Sequence, residues 1–109
     1  FLILCFSCED NVEEDYAATN DCSEAEVYYQ ENIASIMLNN CVSCHSTSYS
    51  SGGLSLESFN STADAIRDGS IINRVNLEQS NPLFMPLGSE KLSQEQLQTI
   101  QDFSNILCL

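Results

Sequence analysis

Two thiols and the only imidazole of the chain lie within one short stretch of sequence. Cys41 and Cys44 are separated by two residues, and His45 follows directly. Two thiols one helical turn apart can add across the two vinyl groups of a haem, and the adjacent imidazole is then delivered to the iron as an axial ligand. The C-x-x-C-H spacing therefore predicts one covalently attached c-type haem, with His45 as an iron ligand.

Three other interpretations of these residues stay open. A C-x-x-C pair can be a redox dithiol, although that motif usually follows a strand in an α/β unit. It can be half of a zinc site, to which Cys22 or Cys108 could add a fourth ligand, although no second C-x-x-C pair is present. It can also be a simple disulfide beside an unrelated histidine. We favour haem because the N-terminal sequence, described below, indicates export.

A second axial ligand must come from a residue other than histidine, because the chain has only one. Met37 precedes Cys41 by four residues on the same predicted helix, so we expect it in the core. Met85 lies between Pro82 and Pro86, which stiffen the backbone around it. We predict that Met85 ligates the iron, since His/Met is a standard pairing for electron transfer. The alternative is that Met85 only packs on the haem edge.

The spacing of apolar residues predicts helices and no strand of useful length. Ser23 and Glu26 fit a capping box at the start of a first helix, which we expect to end near Asn40. Its apolar residues recur at helical spacing: Val27, Tyr29, Ile33, Ile36 and Met37. A second capping box, Ser93 with Gln96, begins a last helix. The apolar face of this last helix consists of Leu97, Ile100, Phe103 and Leu107.

Loops rich in Ser, Gly and Pro separate these two helices. Residues 46–58 form the first loop, in which Leu54 and Leu56 alternate inward, and residues 81–88 form another. A short helix is predicted to start at Ser61, and Gly69 can end it by adopting a left-handed backbone conformation. The predicted fold class is all-α, with about three to four short helices and long loops. A large, flat, apolar cofactor would give those loops something to pack against.

The N-terminal residues have the composition of a targeting segment. Residues 1–7 are uncharged and mostly apolar, and they are too few to span a bilayer, which needs about 20 residues. We interpret them as the end of a signal peptide, with Cys8 in the position of a lipidated cysteine. Residues 8–21 then form an acidic linker that cannot bury apolar surface. The alternative is a buried N-terminal strand with two ordinary cysteines, Cys5 and Cys8.

Composition limits the size of the fold and the choice of partners. The 109 residues suffice for one small domain, which we place at 22–109. The formal net charge is -13, with Arg67, Arg74 and Lys91 as the only Lys or Arg residues. Such a surface repels nucleic acid, so we expect none as a partner. The same charge would attract a protein with a basic patch.

The order of these features resembles class I cytochrome c, and in particular the short domains of bacterial cytochrome lipoproteins. The resemblance covers about residues 24–107. It comprises the C-x-x-C-H motif after an amphipathic helix, Gly-Gly-Leu-x-Leu at 52–56, Met85 before Pro86, and a Leu-rich last helix in which Phe103 could be the family's aromatic. The sequence departs from the family at its end, where Leu107 and Cys108 stand in place of a common Gly-Ala pattern.

The resemblance implies that the first and last helices cross beside one haem. If they cross, Cys22 and Cys108 could form a disulfide, since lipid and haem would use the other exported cysteines. The alternatives are two unpaired thiols or two metal ligands. Arg74 could bond a haem propionate, or it could be a solvated surface arginine.

The resemblance also implies a function, which is to carry one electron at a time between redox proteins. We expect no enzymatic activity, because no acid–base pair is visible in the sequence. One alternative is a haem sensor or peroxidase-like site with a labile sixth ligand. Another is a non-haem surface lipoprotein, held together by zinc or a disulfide, that acts as a binding module. We expect the protein to be exported and lipid-anchored in a Gram-negative bacterium, on the periplasmic side or at the cell surface.

Overall fold

The computed structural model describes residues 22–108, which form an all-α domain of four helices. Helix α1 covers residues 23–40 as three continuous segments, Ser23–Tyr28, a π-helical turn at Tyr29–Ile33, and Ala34–Asn40. The other helices are α2 at Phe59–Arg67, α3 at Ser70–Val75 and α4 at Gln94–Ile106. A short 3-10 turn covers Ser51–Gly53. None of these helices has the length and apolarity needed to cross a membrane.

Helix α1 ends at Asn40, as predicted, but its start and its apolar face differ in part from the prediction. The predicted capping box is wrong, because the helix already begins at Ser23 with Cys22 as N-cap, and Glu26 N–H donates to the Cys22 carbonyl at 2.9 Å. Val27 is 55% exposed, because it is two positions from Ala25 and so lies on the opposite side of the helix. The buried face consists of Ala25, Tyr29, Ile33, Ile36 and Met37.

The middle of the chain contains one helix whose position was not predicted from the sequence. Helix α2 begins at Phe59 rather than Ser61, because Ser58 is the N-cap and its Oγ accepts the Ser61 N–H at 3.1 Å. Gly69, with φ 85°, separates α2 from α3, which confirms the predicted left-handed stop. Helix α3 was not predicted; it has only six residues, and it buries Ile71 and Val75.

Helix α4 begins with the predicted capping box. Ser93 Oγ accepts the Gln96 N–H at 3.1 Å, and the Gln96 side chain accepts the Ser93 N–H at 3.0 Å. Three predicted core residues of this helix are buried: Leu97, Ile100 and Phe103. Leu107 lies just beyond the end of the helix and is half-buried against the core.

The core forms where α1 packs against α4. Phe103 of α4 has no exposed surface, and its ring stacks on Tyr28 at a centroid distance of 6.1 Å. Tyr29 and Phe59 also contact this ring, at 6.0 and 6.2 Å. The first and last helices therefore pack together around one aromatic centre, and this pairing places the end of α1 beside the same core.

Candidate haem-attachment site

The residues of the C-x-x-C-H motif form a turn that follows α1. Cys41 N–H and Val42 N–H both donate to the Met37 carbonyl, at 2.8 and 2.9 Å. His45 N–H and Cys44 N–H then donate to the Cys41 carbonyl, at 2.9 and 3.2 Å. The structure thus brings both thiols and the imidazole to the end of one helix, and neither thiol is in a disulfide.

The two thiols have different surroundings. Cys41 is half-buried against the core, and burial raises the pKa of its thiol to about 11. Cys44 is exposed. A raised pKa keeps Cys41 protonated near neutral pH, whereas a redox-active dithiol depends on a thiol with a lowered pKa.

The His45 ring is oriented by a main-chain acceptor. Its Nδ1 atom lies 3.2 Å from the Leu54 carbonyl oxygen. A carbonyl oxygen can only accept a hydrogen bond, so Nδ1 carries the proton and donates it. In a neutral ring, Nε2 then keeps the lone pair that a metal requires. The backbone of His45 is also held, because its carbonyl accepts the Leu56 N–H at 2.7 Å.

Met85 and Arg74, the other predicted site residues, are joined to each other. Met85 N–H donates to the Arg74 carbonyl at 3.2 Å, which ties the loop between the two prolines to the end of α3. Both residues are half-buried, and the neighbouring Phe84 is buried. The Arg74 side chain forms no hydrogen bond with another described residue, so its guanidinium can still bind an anion.

No hydrogen bond among residues 22–108 connects this pair to the cysteine–histidine turn. Cys41 and Val42 pack against the hydrophobic cluster that contains Val75, the residue that follows Arg74 in the sequence. Met37 is 1% exposed within this cluster, which confirms that it is a core residue.

Cys22 and Cys108, the remaining described cysteines, form a disulfide with a Cα–Cα distance of 5.2 Å. The bond links the start of α1 to the residue that follows Leu107 at the end of α4. The two thiols named above as alternative zinc ligands are therefore bonded to each other. No group of three or more His, Cys, Asp or Glu residues within 22–108 is arranged to hold a metal ion. Cys5, Cys8 and the predicted boundaries at 1–7 and 8–21 lie outside the described residues.

Two features of the site were not found from the sequence. The first is the Leu54 carbonyl, a main-chain acceptor that leaves no trace in residue type. The second is Glu57, whose carboxylate accepts the Thr47 N–H at 2.8 Å and closes the loop that contains Leu54. In the sequence, Glu57 is distinguished only as a charged residue at the end of a Ser-rich stretch.

The chain matches no protein-family model, no curated protein and no solved structure.

Proposed function

We propose that this protein is a single-haem c-type cytochrome that carries one electron at a time between redox partners. The observation that carries the proposal is the 3.2 Å hydrogen bond between His45 Nδ1 and the Leu54 carbonyl. Histidines that ligate metals almost always donate their other ring N–H to such an acceptor. Here that arrangement occurs beside Cys41 and Cys44, with the spacing of a haem attachment motif.

The charge pattern of the loops supports an apolar ligand. The chain has 16 Asp and Glu residues, yet residues 46–56 and 79–89 contain no Asp, Glu, Lys or Arg. The first stretch follows His45 and the second contains Met85. Both candidate axial ligands therefore lie in uncharged segments of a strongly acidic protein.

Exposed apolar side chains support the same conclusion. Leu83 and Leu87, on either side of Met85, are 53% and 69% exposed, and Leu38 and Tyr49 near the motif are also exposed. We propose that these side chains border one binding surface, since a contiguous exposed apolar patch typically marks such a surface. A haem ring is an apolar group large enough to cover several of them.

The proposal gives each site residue a role. Bound haem c would supply the one-electron redox chemistry. Cys41 and Cys44 would hold it through thioether bonds, and His45 Nε2 and the Met85 sulfur would be its axial ligands. Arg74 would neutralise a propionate, since no other described residue forms a hydrogen bond with its guanidinium.

We also propose that the domain has a cytochrome c-like fold. The packing of α1 against α4 is what the resemblance to class I cytochrome c implies, and the disulfide at their ends is consistent with that packing. Both support a cytochrome c-like arrangement of helices around one haem. We further propose that the protein transfers electrons without catalysing a reaction on a substrate.

The location and partners follow from charge and from the N-terminal sequence. A lipid on Cys8 would anchor the domain to a membrane through the acidic linker at 8–21. The net charge of -13 favours redox partners with a basic docking patch and disfavours nucleic acid.

The deciding experiment is mass spectrometry of the full chain expressed with the cytochrome c maturation system. The expected mass is that of the mature chain plus one covalent haem, and a Cys41→Ala/Cys44→Ala double variant should lack the addition. A denatured wild-type chain of bare apoprotein mass would overturn the proposal in favour of the non-haem lipoprotein. Carbon monoxide binding to reduced wild-type protein would instead favour a sensor or peroxidase-like site.

A further inference from the structure

The residues that follow His45 fold back over it. We call residues 46–57 the His45 clasp. Its Leu54 carbonyl accepts the His45 Nδ1–H, and its Leu56 N–H donates to the His45 carbonyl. Ser51 N–H also donates to the Cys44 carbonyl at 2.8 Å. The clasp therefore holds both the ring and the backbone of the predicted axial ligand.

The two ends of the clasp are joined by one side chain. Glu57 Oε1 accepts the Thr47 N–H at 2.8 Å, and both residues are exposed. Hydrogen bonding from the side chain and backbone of Thr47 lowers the pKa of the Glu57 carboxyl. The carboxylate is therefore ionised near neutral pH, which is the form that best accepts a backbone N–H.

We propose that Glu57 is a positioning residue for His45, because its link to Thr47 closes the clasp and holds the Leu54 carbonyl against Nδ1. This inference rests on the proposed function where it concerns an iron ligand. Leu54 lies between Thr47 and Glu57 in the sequence, and its apolar side chain cannot form a hydrogen bond that would hold its carbonyl in place. The link restricts the positions that this carbonyl can take relative to the His45 ring.

Loss of the Glu57–Thr47 hydrogen bond should weaken the hydrogen bond from His45 Nδ1 to the Leu54 carbonyl without unfolding the domain. The clasp keeps other hydrogen bonds, among them Ser46 N–H to the Tyr49 carbonyl at 2.9 Å, and Leu56 stays buried. A weaker bond at Nδ1 makes the imidazole a poorer electron donor at Nε2. A poorer donor stabilises oxidised iron less, so the reduction potential should rise.

The test compares Glu57→Gln with Glu57→Ala in the full chain. Both variants remove one negative charge, but only the alanine variant removes the acceptor for Thr47. We expect solvent exchange of the His45 Nδ1–H, followed by ¹⁵N NMR in the reduced protein, to be roughly two- to tenfold faster in Glu57→Ala, as expected for the loss of one ordinary hydrogen bond. Glu57→Gln should stay close to the wild type.

The reduction potential provides an independent measurement. It should rise more in Glu57→Ala than in Glu57→Gln, and Glu78→Ala should match the glutamine variant, because the Glu78 side chain is exposed and accepts no hydrogen bond from a described residue. Equal Nδ1–H exchange in the alanine and glutamine variants would overturn the positioning role. Equal potentials would overturn its effect on the iron.

Failure of the proposed function would be visible separately. A wild-type chain without covalent haem would refute the cytochrome assignment by mass alone. The Nδ1–H exchange rates, measured on that same full chain, would still decide whether Glu57 holds His45 against Leu54.

Discussion

Met85 is tied to Arg74 by a backbone hydrogen bond of 3.2 Å, which attaches the loop between Pro82 and Pro86 to the end of α3. The prolines stiffen the chain around Met85, and the hydrogen bond holds this stiff segment to Arg74 at Met85 itself. The backbone at Met85 is thus constrained in two ways while its side chain stays half-buried. This is the setting in which a thioether can be held at a metal with little loss of entropy.

We predict that Met85→Ala removes the sixth ligand of the haem-loaded protein. The oxidised spectrum should lose its weak methionine–iron charge-transfer band, and the reduced protein should bind carbon monoxide. The matched control is Met37→Ala, which should keep the charge-transfer band and should not bind carbon monoxide. It should lower the free energy of unfolding by about 2–5 kcal/mol, because Met37 is buried. The opposite pattern, with Met37→Ala opening the iron, would show that the ligand was assigned to the wrong methionine.

The disulfide prediction concerns the ends of the described domain. Replacing Cys22 and Cys108 together by serine should lower the free energy of unfolding by about 4–5 kcal/mol in the chain-entropy treatment, since the bond closes a loop with a sequence separation of 86. Alkylation of the denatured, unreduced protein followed by peptide mapping should recover the two cysteines as one cross-linked pair. Two singly alkylated peptides would contradict the pairing.

The sequence predicted the helices that begin with strong side-chain signals or have long apolar repeats. Ser93 and Gln96 marked the start of α4, and the repeat along α1 led to its end at Asn40. The π-helical turn at Tyr29–Ile33 leaves no comparable signal, because a local widening of the helix keeps the same residues apolar. Helix α3 is too short for a periodic pattern to be recognised.

The candidate site was predictable only where side-chain identity determines chemistry. Cys41, Cys44 and His45 could be named from their spacing, and the structure brings them together at one turn. The acceptor for His45 is a main-chain oxygen, and its position depends on how a Ser-rich loop folds. The type of the residue that provides this oxygen gives no sign of the contact, because every residue has a main-chain carbonyl.

Lipid anchoring is predicted at Cys8, which lies outside the described residues. Cys8→Ser should move the protein from the membrane fraction to the soluble fraction of cells, because stable anchoring requires two or more acyl chains and this residue would carry them. Cys5→Ser is the control, since Cys5 would lie in the removed signal peptide. Retention of Cys8→Ser in membranes would refute the anchor.

The aromatic centre should dominate the stability of the domain. Phe103→Ala should lower the free energy of unfolding by about 3–5 kcal/mol, because the ring is fully buried between α1, α2 and α4. Val27→Ala removes a side chain that is 55% exposed and lies outside the proposed haem surface, so it should lower this free energy by less than about 0.5 kcal/mol. Denaturant unfolding measures both, and comparable losses in the two variants would contradict the position of the core.

Acid should destabilise the domain through two exposed carboxylates. Hydrogen bonds from Thr47 lower the pKa of Glu57, and hydrogen bonds from the backbone and side chain of Ser70 lower the pKa of Asp68. A carboxyl whose pKa is lower in the folded state stabilises the fold above its unfolded pKa, about 4 for these residue types. That contribution is lost as the pH falls through the folded pKa.

The stability of the wild type should therefore fall more steeply below about pH 4.5 than that of Glu57→Gln or Asp68→Asn. Neither variant can be protonated at the substituted position, so each lacks one of the two carboxyls whose protonation destabilises the fold.

Glu78→Gln is the control, because the wild-type Glu78 carboxylate accepts no hydrogen bond from a described residue. The pH profile of this variant should follow the wild type. Neutralising any of the three residues relieves similar self-repulsion in this acidic protein, so the profiles are separated only by the loss of a carboxyl whose pKa is lowered in the folded state. Denaturant unfolding measured from pH 7 to about pH 3 supplies the comparison. Parallel profiles for all four proteins would show that these hydrogen bonds contribute nothing to the acid sensitivity of the fold.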